Sequence, residues 1–154
     1  MKLSTHLMLA EMIRSDSAKR RKISNTPNPE HLDNMKVLAK MIFEPIRNFF
    51  KAPIYISSGY RSEALNKAIK GSSSSQHCKG QAMDIDMDGS GNISNSQVFS
   101  YIKDNLEFDQ LIWEFGDNYN PDWVHVSYVS AEKNRKQILV AYKFLGMTKY
   151  RPYR

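Results

Sequence analysis

The sequence is short of the features that staple or anchor a chain. It holds one cysteine, Cys78, in 154 residues, which excludes an internal disulfide and leaves the fold to packing. No apolar run approaches the ~20 residues of a membrane-spanning helix, so no membrane span is expected. The first twelve residues are mildly apolar, but Lys2, His6 and Glu11 interrupt them. They lack the continuous apolar core and small-residue cleavage site of a secretion signal. The expectation is a chain made in the cytoplasm that needs another route to any target outside. Histidine is scarce, with four in all, and there are no internal repeats. Acid is the scarcer charge, 16 Asp and Glu against 22 Lys and Arg, for a net +6. The stretch 131–154 carries seven Lys or Arg and one Glu, enough to account for all of that excess; Lys19-Arg20-Arg21-Lys22 is a second cluster. A basic surface suits polyanions such as nucleic acid, anionic lipid or bacterial wall polymers, and serves equally as a solvated face. No nucleic-acid motif accompanies it, so no specific nucleic-acid partner is expected.

What is present reads as one α+β domain over 1–154, long enough for a core. Its parts are a helical stretch 1–53, a central region 54–128 and a basic stretch 129–154. A short helix is expected around Leu9 to Arg14. Asn28 before Pro29 is a helix start, a capping side chain ahead of proline at the first helical position. Leu32, Met35, Leu38, Ala39, Ile42, Ile46 and Phe49 follow at helical spacing as a core face, with Pro45 predicting a kink near Met41. Ile54-Tyr55-Ile56 is a short strand leading to Ser58-Gly59-Tyr60-Arg61, and Ser62 caps a helix from Glu63 to about Lys70. The spacing predicts a strand over 81–87 with Ala82, Asp84 and Asp86 on one face. Ser94 and Gln97 form a capping box. Leu111-Ile112-Trp113 is a buried strand, 123–128 alternates as another, and Ile138 to Tyr142 is a last one. The result is N-terminal helices packed on a small, mainly antiparallel sheet.

Two stretches carry chemistry. Ser75-Gln76-His77-Cys78-Lys79-Gly80-Gln81-Ala82-Met83-Asp84 offers an imidazole and a carboxylate separated by a turn glycine. Asp122-Trp123-Val124-His125 adds a second imidazole. Two His and one Asp suffice for a zinc ion with one open position, although a histidine taken singly is more often satisfied inside a fold. Cys78 reads as a spacer, since a thiolate beside His77 would share the site with poor geometry. The turn at 88–92 lacks the ligand spacing and closing Glu of a calcium loop.

Three motifs in order, Ser-Gly-Tyr-Arg at 58–61, Ser-x-His-x-x-Gly-x-Ala-x-Asp at 75–84 and Asp-x-x-His at 122–125, resemble the D-alanyl-D-alanine carboxypeptidase family of zinc peptidases. That family takes in DD-peptidases, D-Ala-D-Ala dipeptidases and phage L-alanyl-D-glutamate endopeptidases, and the likeness runs from about Ile54 to Tyr128. It implies one Zn²⁺ held by His77, Asp84 and His125, and a peptidoglycan stem peptide as substrate. It implies Asp122 as general base and Arg61 as a catalytic and substrate-binding group. Strand periodicity does not support the Asp122 role: residues three apart face opposite ways, and only a bend at Pro121 would turn Asp122 inward. Glu114 is the next carboxylate in line. Ser75 and Trp123 are further candidates for substrate contact, and Trp113 is as readily core. The expected enzyme is a monomeric zinc peptidase, of the kind a phage or prophage lysin uses. The competing readings are a zinc-containing wall-binding module without catalysis and a nucleic-acid-associated protein with a structural metal.

Overall fold

Two short helices come first, α1 (Leu9–Ile13) and α2 (Asp16–Arg21). Asn28 and Pro29 then open the longest helical run, as predicted. In this computed structural model, which describes residues 1–154, the Asn28 side chain accepts from the His31 N–H and α3 covers Pro29–Leu38. The run continues through a π-helical turn, Ala39–Phe43, into α4 (Glu44–Phe50). Pro45 accounts for the π turn: proline has no N–H for the carbonyl four residues back, and the wider turn accommodates the missing bond. The inserted residue also shifts the apolar phase. Phe49, expected in the core, is 59% exposed and stacks on Tyr101 with centroids 4.3 Å apart. Phe43 is buried instead, and Phe50 packs against the core.

The remaining helices begin where their capping residues place them. Ser62 caps α5 (Glu63–Ala68), and Ser94 with Gln97 forms the capping box of α6 (Asn95–Asn105). Six strands make one sheet: β1 (Ile56–Ser58), β2 (Ala82–Ile85), β3 (Gln110–Glu114), β4 (Trp123–Ser127), β5 (Gln137–Phe144) and β6 (Met147–Pro152). Their order is β1-β2-β4-β3-β5-β6. All neighbours are antiparallel except β3 and β5.

The alternation of strand side chains gives the sheet two faces. Met83, Ile85, Leu111, Trp113, Val124 and Val126 belong to the same buried cluster as Met35, Leu38, Ile42 and Ile46 of the long helical run and Val98, Phe99 and Ile102 of α6. That face is the core. Asp84, Ile112, Glu114 and His125 occupy the other. Asp86 is not part of that polar group: its carboxylate accepts from the Asp88 N–H and from Asn95 at the start of α6.

The chain's end differs most from expectation. In place of one strand over 138–142, β5 and β6 form a hairpin across Leu145 and Gly146, both at positive φ (51° and 76°). That is the conformation of a two-residue I′ turn, with leucine where asparagine or aspartate is usual. All six residues of β6 are exposed, so no apolar alternation marks it in the sequence.

Candidate metal centre

The site is assembled on backbone that is locked from below. The Tyr60 N–H donates to the Met12 carbonyl of α1 at 2.6 Å. Asn25 donates to the carbonyls of Ile13 and Tyr60 and accepts from the Ser62 N–H. A Cβ on Gly59 would collide with the Met12 backbone, so this close approach requires glycine. The loop 58–61 in turn grips a 3₁₀ turn, Gln76–Lys79. His77 Nδ1 lies 2.7 Å from the Gly59 carbonyl, and the Arg61 N–H donates to the His77 carbonyl at 3.2 Å. Gly80 ends the turn at φ 72°, packed against the His31 carbonyl, where any side chain would be both strained and blocked.

The Gly59 contact sets the state of His77. A carbonyl only accepts, so Nδ1 carries the proton and the Nε2 lone pair is free. That Nε2 lies 3.3 Å from Asp84 Oδ1. On the strand pair β2–β4, Asp84 is directly opposite His125, and His125 Nδ1 lies 3.0 Å from the same Oδ1. Burial works to raise the Asp84 carboxyl, but His77 and His125 together hold it well below the usual carboxylate range. One donor atom from each of the three residues lies within 4.8 Å of the other two. Two imidazole nitrogens and a carboxylate oxygen are the donor set zinc takes when one position stays open, so these residues fit the ion. Cys78 is outside the group, and burial pushes its thiol up, away from the thiolate a metal would need.

Asp122 is not brought to this group. In the alternation of β4 it falls with Val124 and Val126, opposite His125. It is exposed and lines a separate cleft of about 650 Å³ with Trp113, Asp117 and Tyr153. Its N–H donates to the Glu114 carbonyl, which fixes the incoming chain as a continuation of the ladder. The bend at Pro121 therefore does not turn it inward. Glu114 stands there instead. It ends β3 opposite Trp123, with its neighbour Ile112 opposite His125, so strand parity puts it on the face of the metal group. It is 8% exposed. Burial pushes its carboxyl up to about 7, with His125 pulling it down and Asp84 adding to the rise; no hydrogen bond holds it. The signal in the sequence was an acid closing a strand of apolar residues, at even spacing from Ile112.

A cavity of about 950 Å³ opens over the group, and Arg61, Ser75, Glu114 and Trp123 all line it. Ser75 caps the 3₁₀ turn, accepting from the His77 N–H and from Arg61 Nη2, both at 3.3 Å. Arg61 Nε is buried without a partner. Trp123 is half-buried against Phe115. Trp113 is core: it packs edge-on against Phe99 and donates to the Asp117 carbonyl.

The family model described as Peptidase M15 matches residues 5–127, which include every residue of this cavity named above. No curated protein sequence matches the chain. No helix is long and apolar enough to cross a membrane.

Proposed function

This chain belongs to the M15 peptidase family, whose members are zinc-dependent, and from that premise we propose that it hydrolyses peptidoglycan stem peptides. His77, Asp84 and His125 hold one zinc ion. The observation that carries the reading is the convergence of three zinc donors and one unpaired buried carboxylate on a single sheet face, under a cavity large enough for a peptide. The basic surface suits the anionic polymers of a bacterial wall and a lysin role.

Zinc bound there supplies a Lewis acid and brings a water close to neutrality in pKa. The chain's residues do the rest. Glu114, rather than Asp122, takes the proton from the attacking water and returns it to the leaving amine. A carboxyl near neutrality and free of hydrogen bonds suits both transfers. His77 keeps its Nδ1 proton on Gly59, so its ring orientation does not change through the cycle. Arg61, steadied by Ser75, has donors to spare for a substrate carboxylate or for charge developing on the scissile carbonyl. Trp123 gives the peptide an apolar wall.

Two measurements bear on this. Purified peptidoglycan digested with the zinc-loaded protein should release peptides identifiable by mass spectrometry, and the new termini name the bond cut. Binding to the wall without release would leave a non-catalytic module. Arg61→Ala should retain its zinc and its melting temperature while turnover falls on the order of 10²-fold, the scale for one charge-stabilising donor. An equal loss of stability with unchanged turnover would make Arg61 structural.

A further inference from the structure

The family match ends at residue 127, yet the cavity does not. Its far side is lined by Leu139 of β5 and by Thr148 and Tyr150 of β6. Register explains why. Across three neighbouring strands Glu114, Ala141 and Tyr150 stand in one row, and Leu139 lies beside Ile112 in the row next to it. Residues in register share a sheet face, so the hairpin extends the face that carries the metal group. Ala141 in the middle of the row has no side chain beyond Cβ and is fully buried, although Tyr142 beside it is exposed. Tyr150 can therefore lie across it toward Glu114. Tyr150, Glu114 and Asp84 all line the one cavity, so the phenol and the two carboxylates border the same space. Tyr150 is still 55% exposed, an aromatic ring with a donor at its tip, open to solvent beside the centre.

We propose that the β5–β6 hairpin is a substrate-binding wall added to the family's core, and that Tyr150 is its contact residue. The phenol donates a hydrogen bond to a carbonyl of an extended peptide near the bond cleaved, and the ring packs on an apolar side chain of that peptide. The inference rests on the peptidase reading above and adds a specificity-determining subsite to it.

Tyr150→Phe and Tyr150→Ala test it, assayed on muropeptides prepared from peptidoglycan with a muramidase. Loss of one hydrogen bond to an uncharged partner predicts a fall in kcat/KM of about tenfold for Tyr150→Phe. A larger fall is expected for Tyr150→Ala, which also loses the ring. Zinc content and melting temperature should match wild type, because β6 is an exposed edge strand. Titration of the same muropeptides into Glu114→Gln, with and without Tyr150→Phe, should show the weaker affinity directly. Wild-type kcat/KM in both variants overturns the wall while leaving the peptidase reading intact. A kinetic loss that comes with lost stability and unchanged affinity makes Tyr150 a packing residue and overturns the wall as well. If the wild-type protein releases nothing from any muropeptide, the peptidase reading fails and the wall fails with it.

Discussion

Glu114→Gln is expected to leave the fold and the bound zinc unchanged and to lower turnover on peptidoglycan by about 10²–10⁴-fold, the usual cost of removing a positioned base. The substitution keeps size and hydrogen-bonding capacity but not basicity. The side chain is buried, and no hydrogen bond depends on it, so the amide breaks nothing in the fold. A neutral group also suits an environment that already pushes the carboxyl up to about 7. Asp122→Asn is the matched control. Asp122 is exposed and lines a different cleft, so its turnover should stay near wild type. Zinc content by elemental analysis, melting temperature and kcat on the same preparation separate the outcomes. Near-wild-type turnover in Glu114→Gln with a collapse in Asp122→Asn would return the base to Asp122. Loss of zinc in Glu114→Gln would make Glu114 a ligand.

The contrast between these two carboxylates shows what the sequence could and could not convey. Helix starts at Asn28, Ser62 and Ser94 were legible because capping is local: each side chain bonds a backbone N–H three residues on. The pairing of His77 with Asp84 was legible as a motif because a turn glycine and a short strand connect them. Strand parity already argued against Asp122 facing with His125, and the structure obeys parity. The resemblance had pointed to a base by position in a motif, whereas the carboxylate that the sheet brings to the cavity over the metal group comes from the neighbouring strand. Glu114 comes to the site through pairing between β3 and β4, and no local pattern encodes which strands will pair. The same holds for Tyr150, whose strand is exposed along its whole length and is held in place by register with β5. The phase shift that exposes Phe49 has another origin. Pro45 did announce a disturbance, but whether the helix answers with a kink or a π turn depends on what packs around it.

Zinc removal is expected to lower the melting temperature without unfolding the protein, and His77→Ala should abolish the difference. The buried cluster lies on the opposite face of the sheet and draws on residues from Leu3 to Tyr128, so the apo form keeps its core, unlike small domains that fold only around a metal. Zinc at a thousandfold over its dissociation constant adds about 4 kcal/mol to the folded state. In a domain of this size each kcal/mol moves the melting point by roughly 2–4 °C, so a shift of roughly 8–16 °C is expected. His77→Ala leaves two donors, and its turn loses the anchor on the Gly59 carbonyl. Its melting point should be low and no longer respond to zinc. Asp84→Asn guards against a trivial failure of that variant to fold, because it keeps the residue's shape while removing the negative donor between the two histidines. It should fold, bind zinc more weakly, and show a smaller shift at the same zinc concentration. Differential scanning calorimetry with and without chelator reads all three proteins. An undiminished zinc response in both variants would remove His77 and Asp84 from the metal site.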